Sequence, residues 1–123
     1  MKIVYYSLTG NIKKFLKKTK SNEIIEIKEN LIIDDKFILV TSTVGFGEIP
    51  SIVDVFLAKN HKNLVVVVGS GNRNWGVFFA NAAKLISKKY NVINPLNFEL
   101  QGTDEDVEKF KKIREEIYEL YRT

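Results

Sequence analysis

Three short runs of this 123-residue chain hold the residue types that cradle small molecules. The first is Ser7, Leu8, Thr9, Gly10, Asn11 and Ile12, placed between an apolar run and a lysine-rich amphipathic stretch. Two hydroxyls, a permissive glycine and a helix start with unpaired amides suit a terminal phosphate. An ordinary capped turn, with Thr9 or Asn11 merely starting the helix, has the same composition, and the loop alone does not choose between them. The second run is Thr41, Ser42, Thr43, Val44, Gly45, Phe46 and Gly47; the third is Gly69, Ser70, Gly71, Asn72, Arg73, Asn74, Trp75 and Gly76. Each is glycine-rich and carries one large aromatic that a loop does not ordinarily need. Phe46 and Trp75 could hold a flat ring system between the two loops, with backbone amides and carbonyls at its edge. Trp75 taken alone reads equally well as a hydrophobic staple beneath a following helix.

Other chemistries are poorly supplied. The chain has no cysteine, which excludes disulfides, thiolate metal sites and cysteine nucleophiles, so redox work needs a cofactor. No metal site is expected. Gly69 to Asn74 imitates a dinucleotide-binding glycine pattern, but Asn74 stands where its last glycine belongs and the run follows the wrong strand. There is no Gly-Lys-Ser/Thr phosphate loop, and Thr41 stands where a phospho-accepting aspartate would be. His61, the only histidine, reads as a solvated loop residue. The formal charge is +4, yet the lysines are scattered and not interleaved with aromatics, so nucleic acid is not an expected partner. Lys13, Lys14, Lys17, Lys18 and Lys20 read as a solvated helix face, with an acidic partner or an anionic cofactor as the functional alternative. The longest apolar run, Leu64 to Val68, is far short of the roughly 20 residues of a membrane span, and Met1 leads into no export signal. A cytoplasmic protein of one domain, residues 1–123, is expected.

The elements that must position the three loops follow from hydrophobic periodicity. Strands are predicted at Lys2 to Tyr6, Glu23 to Ile27, Phe37 to Thr41, Leu64 to Gly69 and, broken, Asn91 to Leu100. Helices are predicted at Asn11 to Thr19, Pro50 to Lys59, Trp75 to Tyr90 and Asp104 to Tyr121. The last has Thr103 and Asp106 as a capping box and Val107, Phe110, Ile113, Ile117 and Leu120 as its apolar stripe. This alternation predicts an α/β fold: a doubly wound five-stranded parallel sheet of order 2-1-3-4-5, covered on both faces in three layers. Helix content is reduced between strands 2 and 3. That link, residues 28–36, must cover about 20 Å and can reach about 30 Å, so Leu31, Ile32 and Ile33 would cross the sheet as an apolar strap. In such a sheet the three loops meet beyond the carboxyl ends of strands 1, 3 and 4, where ligands bind.

The runs SLTGN at 7–11, NLIIDDKFILVTSTVGFGEIP at 30–50, GSGNRNWG at 69–76 and FELQGTDEDVEKF at 98–110 resemble the flavodoxin-like NrdI family in order and spacing. The resemblance implies noncovalent FMN, its phosphate in the loop from Ser7 to Ile12 and its isoalloxazine between Thr43–Gly47 and Asn72–Gly76, with Trp75 stacking. It implies a flavin redox protein, reduced by a flavodoxin reductase, ferredoxin reductase or similar donor. Reaction with dioxygen then supplies superoxide, which assembles the dimanganese-tyrosyl radical cofactor of the class Ib ribonucleotide reductase small subunit (NrdF-like). The chain itself would need no acid, base or nucleophile, only the Gly45 to Phe46 peptide as a switch beside the ring. Two positions depart from related patterns: Ile12, where flavodoxins place a hydroxyl, and Val44, where many members have tyrosine. Lys13 and Lys14, with Arg73 in a ring loop, would surround the flavin with positive charge. A low-potential flavodoxin-type electron carrier is the competing function.

Overall fold

A computed structural model describes residues 1–122. Five parallel strands form one sheet: β1 (Lys2–Tyr6), β2 (Ile24–Glu26), β3 (Phe37–Ser42), β4 (Leu64–Gly71) and β5 (Ile93–Glu99), in the order β2-β1-β3-β4-β5. The helices are α1 (Asn11–Lys18), α2 (Ser51–Asn60), α3 (Asn81–Tyr90) and α4 (Asp104–Tyr121). Strand alternation splits the core in two. Ile3, Tyr5, Ile38, Val40, Val66, Val68 and Phe98 face α1 and α4, while Val4, Phe37, Leu39 and Val67 face α2 and α3. The three-layer architecture expected from the sequence is present.

Several boundaries differ from expectation, and each has a local cause. The third helix begins at Asn81, not Trp75, because Gly76 (φ 58°, ψ −119°) and Ala80 (φ 51°) interrupt any helix there. Arg73–Phe78 forms 3₁₀ turns instead. Glu23 (φ 52°) shortens β2, and the left-handed residues Asn91 and Leu100 bound β5. Helix α4 starts with the predicted capping box, Asp106 N–H donating to Thr103 Oγ1 at 3.1 Å and Thr103 N–H to Asp106 Oδ2 at 2.9 Å. Its stripe is shorter than predicted: Val107 and Phe110 are buried and Ile113 and Ile117 pack on the core edge, but Leu120 is exposed where the helix outruns the sheet. His61 is not a solvated loop residue. It starts a 3₁₀ turn, its Nδ1 lies 2.9 Å from the Leu57 carbonyl, and its ring stacks on Tyr90.

The helix-free link crosses the sheet as expected, with Leu31 half-buried and Ile33 buried, although Ile32 points outward. What fixes it is buried Asn60 at the end of α2. Asn60 Oδ1 accepts from Ile33 N–H at 2.7 Å, and Nδ2 donates to Leu31 C=O at 3.0 Å and Phe56 C=O at 2.9 Å. A side-chain amide thus gives the strap the backbone pairing that a helix would have supplied internally. Asn60→Leu is expected to cost about 2–4 kcal/mol, because it strands buried polar groups on the strap. Urea unfolding should show a lower midpoint.

At β5 the register with β4 shifts between Val66 and Val68, around Pro95, which has no N–H. Asn94 Nδ2 reaches Val67 C=O at 2.8 Å and Asn97 Oδ1 at 3.0 Å, and so satisfies the irregular stretch with side chains.

Candidate functional site

The loops after β1, β3 and β4 converge on a cleft of ≈ 280 Å³ at the carboxyl edge of the sheet. It is lined by Leu8, Thr9 and Asn11, by Ser42, Thr43, Val44 and Gly45, by Ser70, Gly71, Asn72 and Trp75, and by Phe78 and Leu100. Its volume is near the lower end of the roughly 300–1,000 Å³ of ligand pockets. No acidic or basic side chain lines it. Among the described residues, no cluster of His, Asp and Glu is placed to hold a metal ion.

The β1–α1 loop does not behave as a simple capped turn. Gly10 is the N-cap, at φ 85°, and no side chain caps it. Thr9 Oγ1 accepts from the Asn11 side chain at 2.9 Å, so neither residue starts the helix by capping a backbone amide. Ser7 Oγ instead takes the N–H groups of Gly10 (2.9 Å) and Ile12 (3.2 Å). The amides of Thr9 and Asn11 find no acceptor among the described residues. A cradle that keeps free N–H groups at a helix start, with hydroxyls beside them, fits a phosphate. Ile12 turns inward and is fully buried in the core, so only its backbone belongs to this loop.

The two glycine-rich loops after β3 and β4 are tied to their surroundings. Val44 and Glu48 exchange both backbone hydrogen bonds, at 3.0 and 2.7 Å, and close a tight turn over Gly45 (φ 53°), Phe46 and Gly47 (φ 85°). Asn81 Nδ2 donates to Gly47 C=O at 2.8 Å, and Thr43 Oγ1 accepts from Ala82 N–H at 3.0 Å. Ser42 Oγ takes Leu8 N–H at 3.0 Å and joins this loop to the first. In the third loop, Asn72 Oδ1 accepts from Asn74 N–H at 2.9 Å and turns Trp75 outward. Trp75 is 51% exposed and meets Phe46 edge to face at 6.2 Å, which excludes the staple reading. At Gly71 a Cβ would sit 2.8 Å from Ala80 N, so only glycine permits that approach.

Not every expected residue lines the cleft. Ser7, Gly10 and Ile12 shape the first loop, Thr41 is buried beneath Ser42, and Phe46, Gly47, Asn74 and Gly76 form its rim or supports. Phe78 and Leu100 escaped sequence reasoning, Phe78 because it lies inside a run read as helix and Leu100 because it ends a strand. Leu100 holds a left-handed φ of 54°, with its N–H on Gly71 C=O (2.9 Å) and its carbonyl on Ser70 Oγ (2.8 Å). The expected charge around the cleft is also lopsided. Arg73 lies over the Phe79 ring, and its charge is offset by Glu99, 3.9 Å from Nε and 3.1 Å from its backbone N–H.

A 2-1-3-4-5 parallel sheet with a phosphate-type loop after β1 and glycine-bordered aromatic loops after β3 and β4 defines a flavodoxin-like protein. Solved structures agree on the fold. A short-chain flavodoxin associated with a PDU bacterial microcompartment superposes with a TM-score of 0.65 at 20% identity, over 92% of each chain. A Fusobacterium nucleatum flavodoxin mutant bound to flavin mononucleotide gives 0.50 at 19% identity, over 76% of this chain and 65% of that one. The model of the NrdI flavodoxin-like family matches residues 3–112. Protein NrdI of Macrococcus caseolyticus (strain JCSC5402) is 48% identical over 121 residues, 98% of this chain and 94% of the relative. The chain belongs to the NrdI flavodoxin-like family.

Proposed function

We propose that this cleft binds FMN, and that the chain, once reduced by a reductase or similar donor in the cytoplasm, supplies oxidant to a class Ib ribonucleotide reductase small subunit. The observation that carries the reading is the convergence of a free-amide cradle and two aromatic-bearing loops on one cleft that holds no acid or base. Bound FMN would supply the electron storage and the reaction with dioxygen that yields superoxide. The residues of the chain bind and orient. The Thr9 and Asn11 amides take the phosphate, Trp75 and the Val44 to Gly45 segment flank the ring, and Leu8 and Leu100 wall off water. The turn is pinned at Val44 and Glu48, and glycine at position 45 would let the Gly45 to Phe46 peptide present either its carbonyl or its N–H to a bound ring.

Leu100→Gly separates wall from scaffold. Glycine relaxes a left-handed conformation that costs a leucine about 1–2 kcal/mol, so the unliganded protein should lose little stability. FMN affinity should nevertheless fall several-fold, read by flavin fluorescence titration. Unchanged affinity would remove Leu100 from the site.

The function itself is tested by mixing the reduced, FMN-loaded chain with manganese(II)-loaded small subunit and admitting dioxygen. Electron paramagnetic resonance should show a tyrosyl radical that is absent when the chain is omitted. A chain that passes electrons to other carriers but yields no radical would return the electron-carrier reading.

A further inference from the structure

Helix α1 carries positive charge in places where the helix alone disfavours it. Lys13 and Lys14 lie in its first turn, which holds no acidic residue and where the macrodipole is already positive. Lys13 with Lys17, and Lys14 with Lys18, are like charges four residues apart, which repel. Lys13, Lys14, Lys17, Lys18 and Lys20 are all exposed, and none has a carboxylate within ion-pairing distance among the described residues. Lys18 reaches only the Gln101 and Gly102 carbonyls, at 3.4 Å each. Several basic groups elsewhere are offset, Lys109 by Glu105 (3.2 Å), Lys111 by Glu108 (3.5 Å), Lys89 by Asp54 (3.6 Å) and, across the cleft, Arg73 by Glu99 (3.9 Å), while α3 keeps only Lys84 and Lys88 without a carboxylate partner among the described residues. Of the three carboxylates at the neighbouring α4 start, Asp106 is committed to its capping box and Glu105 to Lys109, which leaves exposed Asp104 without an ion pair among the described residues. Uncompensated charge is therefore densest on α1, which starts beside Leu8 and Thr9 at the cleft.

We propose that the solvent face of α1 is the docking surface for the electron donor, and that this donor is a small acidic one-electron carrier protein. The proposal rests on the reading of the cleft as a flavin site. A phosphate at the loop would offset charge near Lys13 and Lys14. It would leave Lys17 and Lys18, farther along the helix, as the part of the patch that needs a macromolecular counter-charge. Two encounters deliver two electrons: each carrier is oxidised by one electron, and the protons that accompany reduction come from water. Complementary charge acts on such a reaction chiefly through encounter rate and orientation, and salt weakens it.

The test uses the full chain loaded with FMN and a reduced [2Fe–2S] ferredoxin of strongly negative net charge, mixed anaerobically in a stopped-flow instrument. Raising salt from about 20 to about 300 mM should slow the second-order reduction of the bound flavin by about tenfold. Lys17→Glu/Lys18→Glu should slow it by a similar factor at low salt, with FMN affinity and reduction by a photoexcited neutral deazaflavin unchanged. Lys84→Glu/Lys88→Glu makes the same change of charge on exposed positions of α3, across the sheet, and should alter the rate less than about twofold. Equal effects of the two double variants, or a rate indifferent to salt, would overturn the docking surface and leave the flavin site standing. A purified chain that takes up no FMN would overturn both.

Discussion

Trp75→Ala is expected to weaken FMN binding by about tenfold and to brighten the fluorescence of the flavin that still binds. A stacked indole contributes about 0.5–1.5 kcal/mol beyond the area it covers, and it also quenches the ring it touches. The indole is available for that role. It is half-exposed at the cleft rim, beside the Asn72 turn, and its ring meets the Phe46 ring edge to face. Because half of it already faces solvent, the unliganded variant should unfold at a denaturant concentration close to the parent's. Fluorescence titration and urea unfolding therefore give opposite answers for a ligand-stacking residue and for a core residue. An unchanged affinity together with a lower midpoint would make Trp75 a packing residue.

Phe15→Ala should show the reverse pattern, with the largest effect on stability of any change considered. Phe15 is fully buried, stacks on Phe98 at 3.9 Å and meets Phe110 edge to face at 5.5 Å, so one ring joins α1, β5 and α4. The site has no room to collapse gently, because Gly102 already lies so close that a Cβ there would be 2.6 Å from Phe15 Cδ1. Truncation of such a ring costs about 3–5 kcal/mol, a large share of the roughly 5–15 kcal/mol of a typical domain. FMN should rescue part of it by mass action, about 2.7 kcal/mol at a hundredfold excess over its dissociation constant. Thermal melts with and without FMN check both statements. A variant that melts like the parent would mean that the aromatic cluster is not what holds α1 to the sheet.

Strand order was legible because buried parallel strands announce themselves as short β-branched runs, and the reach of residues 28–36 was enough for a direct crossing. The anchor of that crossing was not legible. Asn60 looks like any polar residue at a helix end, and its partners Leu31 and Ile33 are far from it in sequence. The start of the third helix was misread for a related reason. The apolar spacing from Trp75 onward imitates a helix, but Gly76 and Ala80 take positive φ to bring the third loop over the cleft, a tertiary demand that outweighs local periodicity. The three cleft loops stood out by their glycines and misplaced aromatics, whereas Leu100 joined them only through the fold, which lays the end of β5 against Gly71. Arg73 was legible as a residue but not as a charge, since Glu99 reaches it from the neighbouring strand.

The irregular stretch at Pro95 also governs how this molecule meets others. An open parallel sheet has two borders, and a regular border strand invites another chain to add itself by main-chain pairing. Here one border is β2, only three residues long, and the other is β5, broken at mid-length by a proline and an asparagine pair that turns its donors inward. Neither offers a continuous template. Complexes of this protein must therefore be built from side chains and loops, where charge and shape choose the partner. Its exposed sheet margins should stay inert toward fibril growth even when the chain is concentrated.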